Sequence, residues 1–172
     1  KSGRGAACSM GVEPDFIVGT LGKALGTYGA FIAGPPELKS LLISRGRSFI
    51  FTTGLPEPIA NASLAALKLA NDQRRDSLSR NVLRFRRGLQ DLGISALGDT
   101  HIVPVRLGSN TMKVAEALLE RGHWAAGIRS PTVAPGTERV RFTLSAAHSS
   151  DQIDALLEDL STVLKEISHD NT

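Results

Sequence analysis

Two short apolar runs, at residues 15–20 and 28–33, bracket a glycine-rich segment that contains a single lysine. Apolar runs of this length between glycines predict buried strands. Residues 36–44 predict a short helix, because proline stands in the first turn. Residues 48–53 form another β-rich run. Within residues 59–93 apolar positions recur at roughly helical spacing, which predicts two helices or one long bent helix.

The pattern changes after residue 94, where short strands and helices follow one another. Residues 102–107, 123–129 and 139–145 indicate strands, and residues 111–121 indicate a helix. A final helix is predicted after Ser149, since Ser149 with Gln152 forms a capping box. Its apolar stripe predicts a core-facing surface. The stripe consists of Ile153, Leu156, Leu157 and Leu160.

These elements predict an α/β fold in two parts. Residues 1–75 are expected to form the end of a large α/β domain, and residues 76–172 a small α+β domain. The boundary is predicted within the long helical region.

Composition narrows the function classes without selecting one. The 172 residues are 41% hydrophobic and 22% charged, as in ordinary globular proteins, and the net charge of +3 is too small to indicate nucleic-acid binding. Cys8 is the only cysteine, which excludes an intramolecular disulfide and a cysteine metal cluster. The histidines have no ligand-like spacing, so we expect no metal. No apolar run has the length of a membrane span, and the cytoplasm is the expected compartment.

Lys23, at the end of the first predicted strand, is the strongest candidate for chemistry. A lysine amine becomes a nucleophile near neutral pH where its surroundings disfavour the ammonium form, as in a Schiff base with pyridoxal phosphate (PLP). Gly22-Lys23 is not a phosphate-binding P-loop, because that motif needs glycine at Ile17 and a hydroxyl residue at Ala24. A solvated surface lysine is the alternative interpretation.

Three separated segments carry a family resemblance. They are DFIVGTLGKALGTYGAFIAG at residues 15–34, SFIFTTGLPEP at residues 48–58, and AAGIRSPTVAPGTERVRFTLSAAHSSDQID at residues 125–154. Together they resemble the α-oxoamine synthases, fold-type I PLP enzymes that condense an amino acid with an acyl-CoA and release carbon dioxide. The resemblance implies the C-terminal part of the fold-type I large domain, with the lysine-bearing strands, followed by a small domain.

One segment distinguishes branches of this family. Residues 127–133, GIRSPTV, resemble the branch that joins L-alanine to pimeloyl-CoA or a pimeloyl-carrier protein in biotin biosynthesis. Glycine-using branches typically lack an arginine at Arg129, whereas Ser130 departs from the usual proline. A glycine- or serine-using member of the family is the alternative.

The resemblance also implies roles for individual residues. Lys23 would form the Schiff base and move the substrate proton, and Thr20 would contact the cofactor, although a hydroxyl that only stabilises the turn is the alternative. Thr52 and Thr53 match the place where a neighbouring subunit binds the phosphate, which implies a homodimer. Arg141, a charge inside a strand-like run, matches the arginine that holds the amino-acid carboxylate; Arg129 is the second candidate for substrate binding.

The first residues, beginning at Lys1, resemble a point midway along the family's sequence. Family members have an upstream half with the ring-stacking residue and an Asp-x-x-His stretch that pairs with the pyridine nitrogen. We therefore expect a C-terminal fragment that is inactive alone. A non-catalytic remnant that serves as an interaction module is the alternative.

Overall fold

The computed structural model describes residues 5–169. The chain divides into two compact units, of which the first ends at Arg75 and the second begins at Asp76. The helices are α1 (Ala6–Met10), α2 (Pro36–Arg45), α3 (Arg47–Ile50), α4 (Glu57–Leu69), α5 (Asp72–Asp91), α6 (Thr111–Glu120) and α7 (Ser150–His169). The strands are β1 (Ile17–Thr20), β2 (Ala30–Ala33), β3 (Ile102–Arg106), β4 (Ala126–Ile128) and β5 (Arg139–Thr143). The long helical region therefore consists of two helices, α4 and α5.

The first unit contains a two-stranded antiparallel ribbon of β1 and β2, with Thr20 opposite Ala30. The prediction that these strands are buried is wrong for the described chain, since Val18 is 63% exposed and Ile32 50% exposed. Side chains of a strand alternate between two faces, and a ribbon of two strands needs further layers to cover both. The strands are apolar as predicted, but their side chains are largely exposed within residues 5–169.

Residues 48–53 were predicted as a β-rich run, and this prediction is also wrong. The structure has α3 there, followed by a turn, and the Phe51 N–H donates to the carbonyl oxygen of Arg47 at 3.1 Å. The Arg47 guanidinium lies 5.8 Å from the centre of the Phe51 ring. A strand needs a neighbouring strand for its backbone hydrogen bonds, whatever the propensity of its residues. Here hydrogen bonds within a helical turn satisfy the backbone instead.

The second unit is built on a three-stranded antiparallel sheet in the order β3-β5-β4. In the central strand, Val140 and Phe142 are buried, whereas Arg141 between them is exposed. Helices α5, α6 and α7 contribute the apolar side chains that pack on the buried face. Phe85 of α5 meets Phe142 with ring centroids 5.1 Å apart. The core of this unit therefore lies between one sheet face and three helices.

The predicted start of the last helix is confirmed. The Ser149 N–H donates to Gln152 Oε1 at 3.0 Å, and the Gln152 N–H donates to Ser149 Oγ at 3.2 Å. This reciprocal pair satisfies two backbone donors that a helix start leaves open. The predicted apolar stripe of α7 is in the core, where Ile153 and Leu160 are fully buried.

An ion pair joins α5 to α7 on the surface of this unit. The Arg84 guanidinium donates to both carboxylate oxygens of Asp154, with 2.6 Å between Nε and Oδ1. This hydrogen bond holds the pKa of Asp154 below its ordinary value. The pair is well exposed, so we assign it no large share of the stability.

Phe85→Ala tests the core. We expect a loss of about 3–5 kcal/mol of unfolding free energy, since the variant removes a fully buried ring. Urea unfolding followed by circular dichroism measures it. Leu83→Ala, on the same helix but 54% exposed, is the control and should change little. Equal losses in both variants would contradict the core described here.

Arg84→Gln tests the ion pair. Without the guanidinium, the pKa of Asp154 should rise toward its ordinary value, which an NMR titration of the carboxyl carbon measures. Because the pKa of Asp154 is lowered in the folded state, the pair stabilises the protein at pH values above the pKa of Asp154 in the unfolded state. Its contribution is lost as the pH falls through the folded value. Arg87→Gln, which removes an exposed charge on the same helix, should leave the Asp154 titration unchanged.

Candidate active site

Lys23 lies in the tight connection between β1 and β2. The Leu21 N–H donates to the Gly29 carbonyl oxygen at 2.8 Å, and the Thr27 N–H donates to the Leu21 carbonyl oxygen at 3.0 Å. The Gly26 N–H closes a smaller turn on the carbonyl oxygen of Lys23 at 3.0 Å. Gly26 has a φ of 63°, a conformation that favours glycine. Backbone bonds on both sides therefore hold the lysine at the tip of a defined turn.

The amine of Lys23 is available for chemistry. The side chain is exposed, and within residues 5–169 it makes no hydrogen bond or ion pair. Leu21, two residues earlier, points inward and is 8% exposed. The turn thus buries an apolar neighbour as an anchor and leaves the nucleophile outside.

Thr27 and Ser63 fasten this turn to helix α4, a role that sequence reasoning missed. Their side-chain oxygens are 2.8 Å apart, and the Ser63 hydroxyl donates to the Ile59 carbonyl oxygen at 2.8 Å. The Thr27 hydroxyl also lies 3.4 Å from the Leu21 carbonyl oxygen, and either hydroxyl can be the donor in the pair. Ser63 is the buried residue of α4. The sequence signal for this role was Ser63 itself, a polar residue on a helix face that otherwise carries apolar residues.

The predicted hydroxyl residues occupy different settings. Thr20 ends β1 and is exposed, three positions before Lys23. Thr52 and Thr53 follow α3 and are exposed. The Thr52 hydroxyl donates to the Ser48 carbonyl oxygen at 2.6 Å, so it offers its lone pairs rather than its proton. Of these three predicted hydroxyl residues, Thr20 is therefore the one next to the connection that carries the lysine.

The predicted arginines belong to the second unit. Arg141 lies in the central strand β5, opposite Pro104 on one side and Ala126 on the other. Arg129 comes directly after β4 and is exposed. The open face of the sheet presents Arg141 to solvent, because its neighbours Val140 and Phe142 turn to the core.

His148 has a structural role in this unit. Its Nδ1 accepts a hydrogen bond from the Ser145 N–H at 3.2 Å, and its carbonyl oxygen accepts one from Asn81 Nδ2 at 2.8 Å. His148 also lines a cavity of about 300 Å³ with Trp124 and Phe142, and none of the predicted site residues lines it. These contacts support the backbone before α7.

Two kinds of site are absent from residues 5–169. They contain no cluster of three potential metal-ligating side chains. Among their helices, none is both long and apolar enough to cross a membrane.

The model of one protein family, aminotransferase class I and II, matches residues 4–160. The chain belongs to this family. Among curated relatives, the 8-amino-7-oxononanoate synthase of Methylococcus capsulatus is 47% identical, over 92% of this chain and 43% of its own length. The chain thus spans less than half the length of this relative.

Solved structures show the same fold. A high-resolution structure of SPT with a PLP internal aldimine superposes with a TM-score of 0.88 at 28% identity, over 97% of this chain and 44% of that one. The 8-amino-7-oxononanoate synthase of Francisella tularensis gives a TM-score of 0.79 at 28% identity, over 100% of this chain and 52% of that one. The predicted fold class, that of the fold-type I PLP-dependent transferases, is confirmed.

The side chains of the lysine turn fit this cofactor. PLP offers a carbonyl to an amine and a phosphate to hydrogen-bond donors, and this segment has the exposed side chain of Lys23 and, three residues earlier, the exposed residue Thr20. The donor set therefore suits a phosphorylated carbonyl compound.

Gly26→Ala tests whether the turn is held as described. We expect a loss of about 1 kcal/mol, because alanine is strained at a positive φ. Hydrogen exchange at the amides of Leu21 and Thr27 should become faster, since these two bonds close the turn. Gly54→Ala is the matched control, at a glycine with open space and without a positive φ. Unchanged exchange in Gly26→Ala would contradict the turn geometry.

Proposed function

We propose that the intact protein is a PLP-dependent acyltransferase of the 8-amino-7-oxononanoate synthase type. It would condense L-alanine with pimeloyl-CoA or a pimeloyl-carrier protein, releasing carbon dioxide and the thiol, and so serve biotin biosynthesis. The observation that carries the proposal is the exposed Lys23 on a fixed turn within a matched family segment. Two relatives named 8-amino-7-oxononanoate synthase, at 47% and 42% identity over more than nine-tenths of the chain, support it.

Lys23 would hold the cofactor through its carbonyl and then move the α-proton of the amino acid. An amine can do both, because after its release from the carbonyl it is a base next to the substrate. PLP, when bound, supplies the electron sink for the α-carbon. Thr20 would donate its hydroxyl proton to an oxygen of the cofactor. Neither residue needs to leave the turn that the backbone bonds define.

Arg141 would bind the carboxylate of L-alanine. A guanidinium offers two parallel N–H donors to a carboxylate, and Arg141 has no competing ion pair within residues 5–169. Its place in the middle strand gives the fork a rigid base. Arg129 would assist at the carboxylate or along the acyl chain, and it is the residue we associate with alanine rather than glycine as substrate.

We also propose a homodimer in the cytoplasm, with Thr52 and Thr53 of one subunit binding the cofactor phosphate of the other. The exposure of both residues supports this arrangement. The Thr52 hydroxyl would first have to give up its bond to Ser48.

The absorbance spectrum of the intact protein, purified with PLP, tests this function. We expect a visible band from lysine-bound PLP that is lost in Lys23→Ala and shifted by L-alanine. Lys39→Ala, an exposed lysine of α2, is the control and should keep the band. A band that survives in Lys23→Ala would remove Lys23 from the reaction.

The amino-acid substrate is tested separately. L-alanine, glycine and L-serine are compared in turnover with pimeloyl-CoA, because solved neighbours include a serine palmitoyltransferase from Sphingomonas wittichii. Preference for glycine or serine would replace the alanine assignment while keeping the cofactor. Arg129→Ala should lower turnover with alanine more than it lowers cofactor loading.

A further inference from the structure

The uncovered face of the three-stranded sheet carries three arginines and no carboxylate. In rows across the sheet, Pro104, Arg141 and Ala126 stand side by side, and the next row is Arg106, Arg139 and Ile128. One pair is unusual, because Arg106 and Arg139 are direct cross-strand partners. All residues of these strands are described, and none of those on this face is acidic.

Like charges placed directly opposite on neighbouring strands repel each other. The usual remedy is a carboxylate close by, but Arg106, Arg139 and Arg141 make no ion pair within residues 5–169. By contrast, Arg84 and Arg121 elsewhere in this unit each bind a carboxylate. The open face thus carries three guanidinium groups that have no carboxylate partner within residues 5–169.

Arg139 is also oriented. Its Nε donates to the Thr137 carbonyl oxygen at 2.9 Å, which fixes the plane of the guanidinium and leaves its terminal nitrogens free. Arg106, on the edge strand β3, is exposed beside it. Two guanidinium groups on adjacent strands, one of them fixed, form a preorganised site for an anion.

We propose that Arg106 and Arg139 form a second carboxylate subsite, which binds the far carboxylate of a dicarboxylic acyl donor. This inference rests on the proposed function and deepens it, because it assigns residues that select the acyl substrate. Arg141 would hold the carboxylate of the amino acid, and the pair would hold the opposite end of the acyl chain.

Spacing and surface chemistry agree with this division. Arg139 and Arg141 are two residues apart along one strand, a separation of about 6.7 Å. Long side chains extend this span, so two carboxylates at the ends of one chain can each find a guanidinium. Pro104 and Ile128 lie in the same two rows and offer an apolar surface to methylene groups. Each of the two rows therefore combines arginine with an apolar side chain.

The test compares two acyl donors of equal length, pimeloyl-CoA and heptanoyl-CoA, which differ in the terminal carboxylate. We expect Arg106→Gln to lower the ratio of their kcat/KM values by about tenfold, the effect of losing a charge-assisted hydrogen bond. Arg106→Lys should lie between wild type and Arg106→Gln, because it keeps the charge but not the fork.

Arg87→Gln is the matched control, an exposed arginine of α5 that should leave the ratio unchanged. If the pair binds CoA phosphates instead, Arg106→Gln would weaken both donors equally and the ratio would stay constant. That result would overturn the proposal.

A binding measurement without turnover separates this inference from the proposed function. Calorimetric titration of the intact protein with free pimelate should give a Kd about tenfold higher in Arg106→Gln, with heptanoate binding changed much less. Absence of a lysine-dependent absorbance band from the wild-type protein would refute the proposed enzyme, whereas equal pimelate affinity in wild type and variant would refute the subsite. Urea unfolding of Arg106→Gln should show no loss of stability, since the substitution removes a repulsion.

Discussion

Burial of Val140 and Phe142 determines the register of β5, and every role assigned to the arginines depends on that register. Side chains of a strand alternate strictly, so a shift by one residue would send the arginines into the core. Phe142 packs on Phe85, and the two valines of β3 are buried in the same core. Placing a guanidinium in that core would cost far more than the strand could recover. Burial of the apolar side chains on one face of β5 thus determines that the arginines lie on the other face.

The lysine turn is held by a different kind of interaction. It depends on backbone hydrogen bonds around Leu21 and Gly26, and on one hydroxyl pair between Thr27 and Ser63. Apolar burial contributes little there, because Leu21 is the one hydrophobic residue that is buried within residues 5–75. Such a turn can be well defined locally while the ribbon around it keeps its apolar faces open. The two candidate regions therefore differ in what would disturb them: packing changes for the arginines, and backbone changes for the lysine.

Where local chemistry decides a structure, the sequence was sufficient to predict it. The start of α7 follows from Ser149 and Gln152, which are only three residues apart, and their two hydrogen bonds are present. The apolar stripe of α7 likewise follows from helical spacing. Prediction was wrong at residues 48–53, where aromatic and β-branched residues suggested a strand but the backbone bonds within a helical turn. Strand formation needs a partner from elsewhere in the chain, and a propensity alone does not provide one.

The sequence by itself determined the family and the start of α7, because both depend on short segments whose residues are neighbours in the chain. Tertiary structure alone decided that Arg106 stands opposite Arg139 and that Ser63 meets Thr27. Both contacts join residues far apart in sequence. Their formation depends on which apolar surfaces pack together, and a one-dimensional pattern of polar and apolar positions does not specify that choice.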